Sequence, residues 1–232
     1  MPESIATKPL VLRPPQTRIR VRSDIEYAPG VLADVYAPDD RPNAAIIFIH
    51  GGPVPDGAQP KNMQLFRDYG ALAASSGFAA MTFNHRFFGS AIAQATKDVE
   101  EAIEFACVQP EVDAERLIFW AFSGGGPFLS FGFDQPNVRA LVSYYAILAS
   151  PLERLRSGAH CPPMLIARAG KDHQALNASV DAFISEALTR NIELEVMAHP
   201  NGEHGFDLLN DDDRSRAIIR RTIDFIREHV SA

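Results

Sequence analysis

The sequence predicts an α/β protein: a three-layer sandwich in which a mostly parallel, eight-stranded sheet carries helices on both faces. Three observations lead there. Strand-length apolar segments alternate with helix-length amphipathic ones along most of the 232 residues. One of them, residues 44–49, is apolar without a break, as suits a strand buried on both faces. No internal repeat, low-complexity linker or long insertion interrupts the alternation, so residues 1–232 read as one domain with no cap.

The elements follow in order. Residues 17–27 alternate β-branched and charged side chains, and residues 31–36 follow Gly30; both read as strands. The Pro and Asp cluster at 37–43 is a turn, and the apolar strand 44–49 ends at Gly51, Gly52 and Pro53. Residues 62–76 place Met63, Phe66 and Leu72 at helical spacing and stop at Gly77. Residues 78–83 form a strand. Residues 98–108 form a helix with Val99, Ala102, Ile103 and Ala106 on one face, closed by Pro110. Strand 117–122 and a helical stretch at 126–133 come next. Strands at 138–148 and 164–169, a helix at 176–189, a strand at 192–198 and a helix at 213–230 complete the chain. Ile218, Ile219, Ile223 and Ile226 form the inward face of that last helix.

Composition excludes several function classes. Hydrophobic residues at 46% and charged residues at 22% are those of a globular domain rather than a disordered chain or coiled coil. A net charge of −7 argues against a general affinity for nucleic acid or anionic membrane. No apolar run approaches the roughly 18 residues of a membrane helix. The first ten residues carry Glu3 and Lys8 and lack the apolar stretch of a secretory signal. Cys107 and Cys161 are too few for a disulfide scaffold. The expected setting is cytoplasmic, with no nucleic acid or membrane partner, and with a homodimer as the assembly to test.

Ligands of an open parallel sheet bind beyond the carboxyl ends of its strands, so the residues after each strand carry the chemistry. Strand 117–122 leads into Ser123-Gly124-Gly125-Gly126-Pro127. A serine between a strand and a glycine-opened helix has the geometry of a nucleophile elbow, whose tight turn requires small residues two before and two after the serine. Those are Ala121, in place of the usual glycine, and Gly125. Strand 44–49 leads into His50-Gly51-Gly52-Pro53, where glycines let backbone N–H groups approach a developing oxyanion. Gly52 and Gly124 are the candidate donors, and His50 reads as a structural histidine. Asp172 follows strand 164–169, and His204 follows strand 192–198. Serine, acid and histidine in that order, each after its own strand, is the order in which this hydrolase architecture presents a nucleophile, an orienting carboxylate and a base.

His199 and His173 compete as the base, and Glu203 and Asp207 as the acid. His204 is preferred for its glycine-flanked loop. Asp172 is preferred because loop neighbours are poorly placed to orient the ring. His199, Glu203 and His204 lack the HExxH spacing of a metal site, so no metal is expected. Phe87, Phe88, Phe122, Tyr145 and Phe206 lie near strand ends and are candidate walls of an apolar acyl pocket. Arg86 would meet either an acidic substrate group or a structural carboxylate. Asp211-Asp212-Asp213 reads as a helix start.

On His50-Gly51-Gly52-Pro53, Phe122-Ser123-Gly124-Gly125, Gly170-Lys171-Asp172 and His204-Gly205-Phe206, the chain resembles the α/β-hydrolase superfamily. The resemblance is to its small uncapped branch near dienelactone hydrolases and the catalytic domains of prolyl-oligopeptidase-like acyl peptidases, and it spans roughly residues 20–230. It implies Ser123 as nucleophile, Asp172 as acid, His204 as base, oxyanion donors at Gly52 and Gly124, and no cofactor. The expected activity is cleavage of small carboxylic esters, lost at acid pH as a histidine near ~6.5 protonates. An acyl-peptide peptidase or amidase and a non-catalytic binding protein on the same fold are the alternatives.

Overall fold

The computed structural model describes residues 5–89 and 92–231; Glu3 of the N-terminal reading lies outside them. Eight strands form one sheet: β1 (Arg20–Ala28), β2 (Val31–Ala37), β3 (Asn43–Ile49), β4 (Ala79–Phe83), β5 (Val112–Phe122), β6 (Val138–Tyr144), β7 (Met164–Ala169) and β8 (Leu194–His199). Their order is β1-β2-β4-β3-β5-β6-β7-β8. β1 and β2 run antiparallel, and every pair from β4 through β3 to β8 is parallel. The helices are α1 (Gln64–Ser75), α2 (Ile92–Cys107), α3 (Ala149–Arg156), α4 (Gln174–Thr189), the short α5 (Phe206–Leu209) and α6 (Asp213–Val230). None in the described residues is long and apolar enough to cross a membrane.

Both faces of the sheet are covered, which is why its central strands read as unbroken apolar runs. Alternate residues of β3 point to opposite layers: Ile46 and Phe48 join the layer of α1 and α6, while Ala45, Ile47 and Ile49 join that of α2 and α4. Under the α1 and α6 layer lies an aromatic stack. Trp120 of β5 has Phe48, Tyr69, Phe122 and Tyr144 around it, with centroids 4.9–5.9 Å away. Such pairs each contribute about 0.5–1.5 kcal/mol beyond area burial, and together they make a stiff floor for the β5 terminus.

Several boundaries differ from the sequence reading. The nucleophile turn continues as a 3-10 helix over Ser123–Gly132, rather than as a helix beginning at 126. β6 stops at Tyr144 rather than 148, because Tyr145 takes φ +39°, a left-handed conformation that ends a strand. α3, in the short connection between the strands read at 138–148 and 164–169, is an addition. α6 matches its predicted bounds, and Asp212 caps it by accepting from the Ser215 N–H at 2.8 Å. Cys161 is buried, and burial pushes its thiol up to about 12. Burial, with Glu104 and Glu115 nearby, also raises the thiol of Cys107. Neither microenvironment activates a thiol.

Candidate active site

The parallel strands deliver their following residues to one rim. Ser123 is the first residue after β5 and holds φ +52°, outside the conformations a serine prefers. Strain of this kind costs on the order of 1–3 kcal/mol and persists only where the surroundings over-determine it. Here they do. The Ser123 carbonyl accepts the Ile147 N–H at 3.0 Å. Ala121, two residues before, is fully buried between Ile49 of β3 and Ser143 of β6, so the position tolerates a methyl group although glycine is usual there.

The acid turn and the base loop are knitted together by backbone. The Gly170 N–H donates to the His199 carbonyl and the Lys171 N–H to the Gly202 carbonyl, both at 2.9 Å. Asp172 and His204 meet as a result, although 32 residues separate them. His204 Nδ1 lies 2.8 Å from Asp172 Oδ2, and Nε2 lies 2.9 Å from Ser123 Oγ. A carboxylate accepts only, so Nδ1 carries the proton, and the bare Nε2 faces the serine hydroxyl as its acceptor. The other Asp172 oxygen accepts the His173 N–H at 2.7 Å. The Asp172 side chain has no exposure, while that of His204 is 38% exposed. One end of the chain of hydrogen bonds is therefore dry and fixed, and the other opens to the rim.

The competing residues sit elsewhere. His199 is buried, with Nε2 at 3.1 Å from Ser215 Oγ and 3.3 Å from Asp212. His173 and Glu203 are exposed. The Asp207 carboxylate accepts from Tyr69 at 2.6 Å and from Tyr145 at 2.8 Å, not from His204. Burial raises its carboxyl above the ordinary range, opposed by the two phenol donors and the nearby His204. Among the described residues no group of His, Cys, Asp and Glu is arranged to hold a metal ion.

The loop after β3 lies directly over the nucleophile turn. A Cβ added at Gly124 would stand 2.0 Å from the Gly52 carbonyl oxygen, so only glycine fits there. Two stacked histidines hold this loop from behind. The rings of His50 and His85 are 3.6 Å apart at 6°. His50 Nδ1 donates to the Gly51 carbonyl at 2.7 Å, and His50 Nε2 accepts the His85 N–H at 3.2 Å. His85 Nε2 donates in turn to the His50 carbonyl at 3.1 Å. His50 is thus the structural histidine expected from sequence, and His85 is its unforeseen partner.

Burial lowers the pKa of His85 to about 4, and burial with the neighbouring His85 lowers that of His50 well below the ordinary imidazole value. A histidine depressed in the folded state binds its proton first in the unfolded chain. It therefore withdraws stability as pH falls from ~6.5 toward the folded value. For His85 that amounts to about 3 kcal/mol between neutrality and pH ~4. Urea denaturation across this range should show His85→Gln losing less stability than the wild type. Equal losses would contradict the assignment.

The proposed acyl pocket needs correction. Phe122 and Phe206 are 3% and 0% exposed and belong to the aromatic floor, because side chains flanking the turn point down between the sheet and α6. Tyr145 is also buried, its ring centroid 4.8 Å from that of His204. Phe87 and Phe88 remain half-buried at the rim. A Cβ on Gly52 would meet Phe87 Cδ1 at 2.4 Å, so the Phe87 ring covers the loop that carries the Gly52 amide. Arg86 is tied to the fully buried carboxylate of Asp98, with Nε–Oδ2 at 2.9 Å, and serves structure. A concavity of about 830 Å³ lies at the opposite rim, lined by Val138, Pro163, Glu193 and His229 among others.

Comparison with known proteins agrees with this fold. Residues 33–136 match the BD-FAE family model. No curated protein matches the sequence. Among solved structures, a Bacteroides ovatus protein assigned as dipeptidyl aminopeptidase IV superposes with a TM-score of 0.69 at 17% identity, over 91% of this chain and 36% of that one. A Klebsiella pneumoniae protein assigned as dienelactone hydrolase gives 0.71 at 17% identity, over 91% and 99%. Esterase 2 of Thermogutta terrifontis, phosphorylated by paraoxon, gives 0.67 at 18% identity, over 90% and 92%. The chain spans about a third of the peptidase and nearly all of the other two.

Proposed function

We propose that this protein, on its α/β-hydrolase fold, is a serine hydrolase that cleaves carboxylic esters of small acyl groups. The observation that carries the reading is the unbroken chain Ser123 Oγ, His204 Nε2, His204 Nδ1, Asp172 Oδ2, with both links below 3 Å. In this reading the Ser123 oxygen attacks the acyl carbonyl while His204 takes its proton. The carbonyl oxygen becomes an oxyanion received by the Gly52 and Gly124 N–H groups. Collapse expels the alcohol, which takes the proton from His204 and leaves an acyl-Ser123 ester. Water then repeats the sequence: His204 takes its proton, the hydroxyl oxygen adds to the acyl carbon, and Ser123 recovers its hydrogen as the acid departs.

Asp172 holds the imidazole in the one tautomer that works and stabilises the imidazolium. The preference for small acyl groups rests on the short β6-to-β7 connection, which contains only α3 and leaves no room for a large inserted cap domain. A chain-length series of aryl esters tests it: acetate and butyrate should turn over faster than octanoate, and the reverse order would defeat this part of the reading. The peptidase likeness is tested in the same assay. Turnover of matched aryl ester and anilide substrates should favour the ester, and comparable anilide turnover would point to a peptidase.

A further inference from the structure

We propose that Asp207 is a positioning carboxylate for His204, acting through Tyr145; the proposal rests on the serine-hydrolase reading above. Asp207 is completely buried, and among the described residues no lysine or arginine pairs with it. Its partners are two neutral phenols, Tyr69 of α1 and Tyr145 at the end of β6. A buried carboxylate is costly to desolvate, and two phenols alone are poor compensation.

The rest of the compensation lies above it. Asp207 follows His204 by three residues, and Tyr145 touches both: its hydroxyl donates to Asp207 Oδ1 at 2.8 Å, and its ring lies 4.8 Å, centroid to centroid, from the imidazole. Tyr145 holds φ +39°, a strained position for a bulky residue. That strain aims the ring at His204 and the hydroxyl at Asp207 together. The Asp207 carbonyl also accepts the Val11 N–H at 2.9 Å, which ties the N-terminal segment to the same point. The base loop is thereby anchored to α1, the β6 terminus and the N-terminal segment through one residue.

Two consequences follow. The loop cannot drift, so Nε2 stays within reach of Ser123. A second negative charge beside Asp172 also favours the imidazolium formed during attack. The groups facing His204 are Ser123 from the β5 end, Asp172 from the turn after β7, Tyr145 from β6 and Asp207 from α5. His173 and Glu203 stand beside them in the chain, both exposed. Arg168 of β7, whose guanidinium is held charged mainly by Asp181 at 2.7 Å, also senses the Asp172 charge.

The test compares the full-length wild type with Asp207→Asn and Tyr145→Phe. Asparagine removes the charge at nearly the same shape, with its oxygen still able to accept from one phenol and its NH2 able only to donate to the other, and phenylalanine keeps the ring while cutting the link. Aryl acetate hydrolysis would be followed from about pH 5 to about pH 9, a range that brackets imidazole titration. The His204 ring would be titrated by NMR in parallel, which does not depend on turnover. In Asp207→Asn, the acid limb of kcat/KM and the His204 titration should both move to lower pH, by roughly one unit. In Tyr145→Phe, kcat should fall about tenfold with KM within about twofold.

If Asp207→Asn fails to fold, Tyr145→Phe decides the matter alone. If folded variants keep kcat within about twofold and the His204 titration in place while the wild type is active, the positioning role is wrong and the hydrolase reading stands. If the wild type hydrolyses no ester yet Asp207→Asn shifts the His204 titration, the coupling stands and the hydrolase reading fails.

Discussion

Ser123→Ala should lower ester turnover by about a million-fold while leaving the fold intact. The expected loss is that large because in the proposed reaction the hydroxyl, 2.9 Å from His204 Nε2, is the attacking atom. His204→Ala should cost about as much, and the double variant little more, because the residues act as one unit. Asp172→Asn should cost about ten-thousand-fold, since the amide no longer dictates which ring nitrogen carries the proton. The fold should hardly notice Ser123→Ala. The side chain is half-buried, and alanine meets the same φ of +52° as the serine did. A Tm within about 4 °C of the wild type would show that chemistry rather than structure was removed.

Gly124→Ala should be the next most damaging change. The added carbon would lie 2.0 Å from the Gly52 carbonyl oxygen and 2.9 Å from the Gly52 nitrogen and carbonyl carbon. These are backbone atoms, and they cannot swing aside as the end of a flexible side chain would. Relief requires the loop after β3 and the nucleophile turn to part, which separates the two N–H groups expected to receive the oxyanion. Losing one such donor lowers kcat by about a hundred- to a thousand-fold. KM should change far less, because ground-state binding does not need the donors in that place. Gly57→Ala is the control. That residue has φ +75° and nothing within 4 Å of its added carbon, so the substitution strains an exposed stretch of the same loop without meeting any neighbouring atom. Its kcat should stay within about twofold of the wild type. Equal losses in the two variants would mean that Gly124 matters only for general stability.

The parts of this molecule that were legible from sequence are those whose signals are local. β7 and α6 fall at their predicted bounds because unbroken apolar character marks one and isoleucine spacing with an aspartate cap marks the other. Ser123, Asp172 and His204 were legible because each follows a strand, and a parallel sheet sends all such residues to one rim. β5 begins at Val112, five residues before the expected start, because its first turn of Asp113, Glu115 and Arg116 is polar and partly exposed. α2 begins six residues early, over a stretch whose only deeply buried side chain is Ala95. α3 was hidden by Pro151 and by an apolar face of only Leu152 and Leu155.

The remaining misreadings concern contacts between distant segments. Tyr69 and Asp207 are 138 residues apart, and His50 and His85 are 35 apart. No periodicity connects such pairs. Lys61 is another case: 1% exposed, it donates to Asp24 at 2.6 Å, Asp34 at 2.9 Å and Asn62 at 3.0 Å, a network that nothing in its neighbours announces. The pocket aromatics fall in the same class. Proximity to a strand end does not say whether a ring rises toward the rim or sinks into the floor.

Reaction with an aryl fluorophosphonate, read by intact mass and then by peptide mapping, addresses the central claim directly. A single adduct on the peptide containing Ser123, formed by the wild type and absent from Ser123→Ala, is the result this structure predicts. An unmodified wild-type protein, or an adduct that persists in Ser123→Ala, would contradict it.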